Sequence, residues 1–321
     1  MLARVADSLY WMARYLERAE FTARLVGLQI QRLPVGTAVE VAAGWRLLFA
    51  GIGNEPPRSE SLGNMEDDDF LFVDGYTLTD ILTFEEGNPA AIANCLAAAR
   101  ENAREVRSAI GPGIWSSLNR EYLTLRRTRL VEIWTREPEL LYRDVAEGIQ
   151  RLHGICDSSM RRGSEWSFMQ LGRYVERAQL VVSMLVAHCG DAAGRENGGE
   201  WPVLLRACNA FETYGRECGV AFEEGAVLGL LLHEGDLPYS LRFCLERLRE
   251  NLDVIGPAPS DGLGTGTTEI VNRLDEQLRD CARPAGDLQL SASRDLRQVG
   301  ELCRTFHDAL EGSYAFRAAD G

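Results

Sequence analysis

Apolar residues at Leu2, Val5, Leu9, Met12, Leu16, Ala19, Ala23 and Val26 step by three and four, which predicts one long helix over 2–32. Pro34 and Gly36 stop it. The same periodicity predicts helices over about 37–52 and 77–84, then a longer one from Asn88-Pro89 to Ile110. There Asn88 is read as the N-cap and Pro89 as the first helical position. Gly111-Pro112-Gly113 breaks the chain before helices over 114–136 and 138–160. Further helices are expected over 164–189, 201–218, 220–234, 238–255, 267–282 and 287–313. Residues 55–66 and 190–200 read as loops, and 256–266, rich in proline and glycine, as a mobile one. The acidic run Glu66-Asp67-Asp68-Asp69 lacks the glycine and closing glutamate of a calcium loop and reads as a solvated helix start. No β-branched run alternates with period two. The expected fold is all-α, with ten or more helices in a pseudo-symmetric bundle.

The symmetry comes from two echoes. Arg14-Tyr15-Leu16-Glu17-Arg18-Ala19 returns as Arg173-Tyr174-Val175-Glu176-Arg177-Ala178, 159 residues later (173 − 14). Pro89, Cys95-Leu96 and Arg100-Glu101-Asn102 return as Pro238, Cys244-Leu245 and Arg249-Glu250-Asn251, 149 residues later (238 − 89). Two blocks in one order at nearly one spacing imply an internal duplication, with halves of about 1–160 and 161–321 in a single domain over 1–321.

Composition narrows the chemistry. All 34 basic residues are arginine, so Schiff-base chemistry, a lysine base and a P-loop lysine are excluded. A net charge of −14 argues against a general nucleic-acid or anionic-membrane surface. Eight cysteines form no C-x-x-C pair and read as buried free thiols in a reducing cytoplasm. No apolar run is long enough for a membrane span, and the first residues read as an amphipathic helix rather than a targeting segment. The four histidines, at 153, 188, 233 and 307, are scattered, and none stands in a Glu-x-x-His pair, so no metal site is expected. Gly-x-Ser-x-Gly, phosphate-loop and dinucleotide fingerprints are all missing.

What remains is the arginine stripe. Tyr10, Arg14, Glu17, Phe21 and Arg24 share one face of the first helix, and Met169, Arg173, Glu176, Leu180 and Ser183 the equivalent face of its repeat. Only arginine and glutamate persist in both. Two readings stand: Arg–Glu pairs that fix the register of packed helices, or surplus cations from Arg14, Arg18, Arg173 and Arg177 facing a cleft that binds carboxylate or phosphate, with Glu17 and Glu176 orienting them. Glu101, Asn102, Glu250 and Asn251 are secondary candidates, since an asparagine in mid-helix suggests a hydrogen-bonding task. Asp157-Ser158-Ser159-Met160-Arg161-Arg162 is either a capped turn or a phosphate contact through its hydroxyls and Arg161.

The opening Met1-Leu2-Ala3-Arg4-Val5-Ala6-Asp7-Ser8-Leu9-Tyr10-Trp11, running into the Arg14–Glu20 block, resembles the alpha-E family, a bacterial all-helical domain named for its Glu-Arg motif. The resemblance continues through Asn88-Pro89, Arg100–Arg104, Trp115 with Asn119, Ser159-Met160-Arg161, Trp166, Phe168 and Leu171–Tyr174. Ser8 and Phe21 stand where the family usually has asparagine, and Ala90-Ala91 where it usually has serine, so a departure from the family at any ligand is expected in the first half. The resemblance implies a partner, a circularly permuted ATP-grasp protein that joins carboxylate to amine through an acyl-phosphate. ATP and magnesium are then expected only through that partner, and this chain is expected to bring no cofactor of its own. A peptide or amino-acid ligand is expected in the arginine cleft. The rival expectations are a stand-alone enzyme completing amide formation or transfer on an activated intermediate, and a non-catalytic helical scaffold.

Overall fold

The computed structural model describes residues 3–54, 75–135, 137–190, 200–256, 264–281 and 288–313. Every regular element among them is helical: α1 (Ala3–Arg32), α2 (Ala38–Gly51), α3 (Gly75–Thr83), α4 (Ile92–Glu105), α5 (Arg107–Arg127), α6 (Leu130–Trp134) and α7 (Pro138–Ser159), then α8 (Ser164–Cys189), α9 (Trp201–Ala207), α10 (Phe211–Glu217), α11 (Glu224–His233), α12 (Leu241–Ile255), α13 (Gly264–Asp280) and α14 (Leu288–Ser313). The all-α expectation holds. The acidic run at 66–69 and most of the loops expected over 55–66, 190–200 and 256–266 lie outside the described residues.

Helix α1 packs on α4, α7 and α8; α8 packs on α12 and α14; α5 bridges α4 and α7 as α13 bridges α12 and α14. The helices that follow the two central ones cross over, α2 lying on α8 and α9 on α1. Both central helices are buried nearly all round, as a helix at a bundle axis must be. Their contacts advance together, Tyr10 against Gly172, Arg14 against Glu176 and Glu17 against Arg177, so they run in the same direction. Gly172 permits the closest approach: a Cβ there would lie 2.1 Å from the backbone oxygen of Tyr10. Around this axis Tyr10, Phe21, Trp45, Phe49, Tyr142, Tyr214 and Phe306 fill the core.

Local chemistry corrects several expected boundaries. Asn88-Pro89 does not open α4. The Asn88 carboxamide oxygen accepts from the Ala90 amide at 3.0 Å and its nitrogen donates to the Ile81 carbonyl, which makes a turn, and the helix starts at Ile92. The equivalent α12 starts at Leu241, with Ser240 capping the Phe243 amide at 3.0 Å. The chain breaks at Val106 rather than at the glycines, and Gly111, at φ +76°, is a kink within α5. The helix expected over 114–136 ends at Arg127, and that over 201–218 divides at Asn209, whose φ is +51°. Of the cysteines, Cys95, Cys156, Cys208, Cys244 and Cys303 are buried thiols, Cys189 and Cys281 are half-buried and Cys218 is exposed.

Candidate functional site

The α1–α8 crossing brings the two repeated motifs onto each other. Arg14 Nε donates to Glu176 Oε2 at 2.7 Å, and Arg18 Nε to Glu176 Oε1 at 2.5 Å. Reciprocally, Arg177 grips both oxygens of Glu17, through Nε at 2.6 Å and Nη2 at 2.9 Å, while Arg173 Nε stands 3.4 Å from Glu17 Oε2. Each carboxylate of one helix thus lies between two guanidiniums of the other. Burial pushes the Glu17 carboxyl up, but Arg177 and Arg173 more than reverse it and hold it at about 2. Burial likewise raises Glu176, and Arg14 with Arg18 brings it below its ordinary value. Neither is a general base.

Two of the four arginines are committed elsewhere too. Arg14 also donates to Gln179 Oε1 at 2.8 Å and lies 4.8 Å above the Trp11 ring; Arg177 donates to the Pro238 carbonyl and lies 4.0 Å above the Tyr239 ring. Arg173 differs. Among the described residues it donates no hydrogen bond; it keeps its side chain 19% exposed, and lines a cleft of about 290 Å³ between the start of α8 and α12. Arg162 and Arg247 line the same cleft, with Ser167, Gln170, Tyr174 and Asn251 as polar walls and Asp157 and Glu250 at the rim. Arg162 lies 3.8 Å over the Trp166 ring and donates to the Asp157 carbonyl; Arg247 pairs with Glu250 at 2.7 Å. Three guanidiniums meet two carboxylates there, so the cleft is cationic although the chain is acidic.

The remaining candidates fall outside it or serve the fold. Tyr10 is buried, with its hydroxyl 2.8 Å from His307 Nδ1. Arg24 is half-buried against Tyr239, the Ala207 carbonyl and Glu20. Glu101 is a surface partner of Arg100 and Arg104, each at 2.8 Å. Asn102 and Asn251 donate back to their own helices, to Ala98 O at 2.9 Å and Arg247 O at 2.7 Å. Arg100 instead crosses to Asn119 at 2.8 Å, as Arg249 reaches Asn272 at 3.3 Å. Arg161 is exposed and faces a neighbouring groove of about 750 Å³ bordered by Ser108–Gly111. Ser158 and Ser159 turn their hydroxyls onto their own helix, to the Gly154 and Ile155 carbonyls, which leaves a turn rather than a phosphate cradle.

One buried cluster had no sequence signal. Glu17, Glu20 and His153 each bring a ligand-type atom within 4.8 Å of the others. His153 Nδ1 and Glu20 Oε2 stand 3.7 Å apart without a hydrogen bond. The donor set does not fit a divalent cation: Arg173 and Arg177 stand on Glu17 and Arg24 is 3.6 Å from Glu20, so an ion would enter an already cationic surround. Burial, with Arg173 and Arg177 beside it, holds His153 neutral, well below its ordinary pKa.

Fold and site together define an all-helical domain organised on paired Glu-Arg motifs, with one arginine of the set turned to a cleft. The chain belongs to the Alpha-E family, described as a predicted alpha-helical domain with a conserved ER motif, whose model matches residues 1–315. It is similar to an uncharacterized protein of Mycobacterium bovis, 26% identical over 96% of this chain, and to one of Mycobacterium tuberculosis, 25% identical over the same share. The chain spans about a third, 35%, of the length of these relatives. No solved structure matches it. Among the described residues no helix is long and apolar enough to cross a membrane.

Proposed function

We propose that this domain is the helical partner of an ATP-grasp-type amide ligase and holds a carboxylate- or phosphate-bearing substrate or intermediate in the α8–α12 cleft. The observation that carries the anion-binding part is Arg173, an arginine of the repeated motif that lines a cleft with two more guanidiniums and donates no hydrogen bond among the described residues. The ligase part rests on the family resemblance. The mycobacterial relatives, in which the matched region is 35% of the chain, fit a domain that works beside others. Of the four motif arginines, Arg173 is the anion contact of this reading. Arg14, Arg18 and Arg177 position the helices through Glu176 and Glu17, and ATP and magnesium belong to the partner.

The test is co-purification with the ATP-grasp protein, followed by ATP consumption across amino acids and short peptides with and without this chain. Turnover that needs both proteins, and that is lost with Arg173→Ala while the complex still forms, is the expected result. Turnover unchanged by this chain sinks the ligase-partner reading. The scaffold reading has one observation in its favour, the commitment of three motif arginines to internal carboxylates; it predicts a complex whose turnover ignores Arg173→Ala.

A further inference from the structure

The repeat allows the cleft to be compared with the place its symmetry would put in the first half. Moving back 159 residues along α8 and 149 along α12, Arg173 becomes Arg14, Gln170 becomes Trp11, Trp166 becomes Asp7, Arg247 becomes Ala98 and Val254 becomes Glu105. Ser167, Tyr174 and Asn251 keep polar counterparts in Ser8, Tyr15 and Asn102, but two features that favour an anion are gone: the Arg247 guanidinium is a methyl group, and the Gln170 carboxamide is an indole. That indole is packed in place. Trp11 meets His307 of α14 edge to face with ring centroids 5.4 Å apart, stacks at a tilt on Tyr15 at 5.5 Å, and lies under the Arg14 guanidinium. Arg14 is 5% exposed and already holds Glu176 and Gln179.

The charge also reverses. Asp7 and Glu105 replace an aromatic and an aliphatic residue. Glu105 carries Arg4 at 3.0 Å and accepts from Ser8. Burial, together with Glu311 and Glu105, pushes Asp7 up to about 6, as expected where carboxylates crowd one another. An incoming carboxylate or phosphate would meet these groups rather than guanidiniums.

We infer that the chain binds one anionic group, not two, and that Arg247 and Gln170 are the residues that decide which half binds it: Arg247 supplies a second guanidinium to the cleft that Arg173 lines, and Gln170 stands where Trp11 stands in the first half. The inference rests on the cleft reading above and adds stoichiometry and two residues to it. An anion shared between Arg173 and Arg247 is held from α8 and α12 at once, which a single arginine cannot do.

The experiment is an NMR titration of the full chain with inorganic phosphate and, separately, N-acetylglycine, following assigned arginine Nε–H signals. The Arg173 and Arg247 signals should move together on one saturable curve while Arg14 stays still. Arg247→Ala should weaken the Arg173 response at least about tenfold, and Trp11→Gln with Ala98→Arg should create a second responsive set that includes Arg14. The anion that saturates at lower concentration names the group preferred. If Arg14 and Arg173 respond alike in the wild type, or Arg247→Ala changes nothing, the one-site inference is overturned and the cleft reading survives. If neither anion moves any arginine at tens of millimolar, the cleft reading fails and takes the inference with it.

Discussion

At the scale of single residues, the two arginines that face Glu17 differ in what they do. Arg177 is 2% exposed and gives Glu17 two hydrogen bonds, whereas Arg173 approaches only to 3.4 Å and is partly solvated. Arg177→Ala would leave a carboxylate buried at 0% exposure with its main partner removed. A loss of about 3–5 kcal/mol in unfolding free energy is expected. Arg173→Ala removes a guanidinium that makes no hydrogen bond to Glu17 and leaves the Arg177 fork in place, so it should cost clearly less than Arg177→Ala. Chemical denaturation of both variants checks this, and equal losses would refute the division of labour. Much of the set was legible: the recurrence of Arg14, Glu17 and Arg18 marks these positions without any structure. The odd arginine out was not. Its freedom depends on α12, some 70 residues downstream, and on the geometry of the crossing, neither of which periodicity contains. Arg247 was equally hidden, since a surface-type arginine on an amphipathic helix has no distinguishing pattern.

At the scale of elements, periodicity located the long helices well, and α8 falls on its expected limits of 164 and 189. It misplaced starts where one residue serves two local uses. Asn before Pro suits an N-cap, but the same side chain also closes a turn on the amide two residues later, and at Asn88 the turn prevails because its other end ties to Ile81. Helix-to-helix spacing is a different matter, and at the axis it hangs on Gly172. With a Cβ placed 2.1 Å from a backbone oxygen there is no flexible side chain to yield, so Gly172→Ala must separate α1 from α8. The expected cost is roughly 1–3 kcal/mol, in spite of alanine's better helix propensity. Thermal unfolding of this variant should show a lowered midpoint; a raised one would mean that propensity outweighs the contact. The shift would also lengthen the Arg14–Glu176 bond, so the Gly172 and Arg14 substitutions should not be additive.

For the whole molecule, the buried titratable groups set the response to acid. His188 and His307 are held near 4, both chiefly by burial, and His153 well below 6.5 by burial and by Arg173. Each stays neutral in the fold but takes a proton in the unfolded chain below about 6.5, so stability is full above that pH and declines as pH falls toward 4. Glu17 adds to the decline at lower pH. Its folded pKa of about 2 lies under the ordinary 4.5, so its contribution is present above 4.5 and is lost on the way down to about 2. Asp7, raised to about 6, works in the opposite sense between about 4 and 6, one group against three histidines. The unfolding midpoint should therefore fall as pH drops from about 6.5 to 4 and go on falling below that as Glu17 takes its proton. A midpoint flat between pH 7 and 5 would show that the histidines are protonated in the fold.

Because Glu17 is held from α8 and Glu176 from α1, residue i of one helix meets residue j of the other while j of the first meets i of the second. That is the contact rule of an isologous interface, the kind that joins two identical subunits. Here the two sides belong to one polypeptide, α1 leading through α2–α7 to α8. Two separate subunits would lose such a contact on dilution, by mass action. Covalent linkage replaces their encounter with a fixed effective concentration. The buried charges at the axis consequently keep their partners at any protein concentration, and Arg173 keeps its position over the cleft in a chain that needs no second copy to complete it.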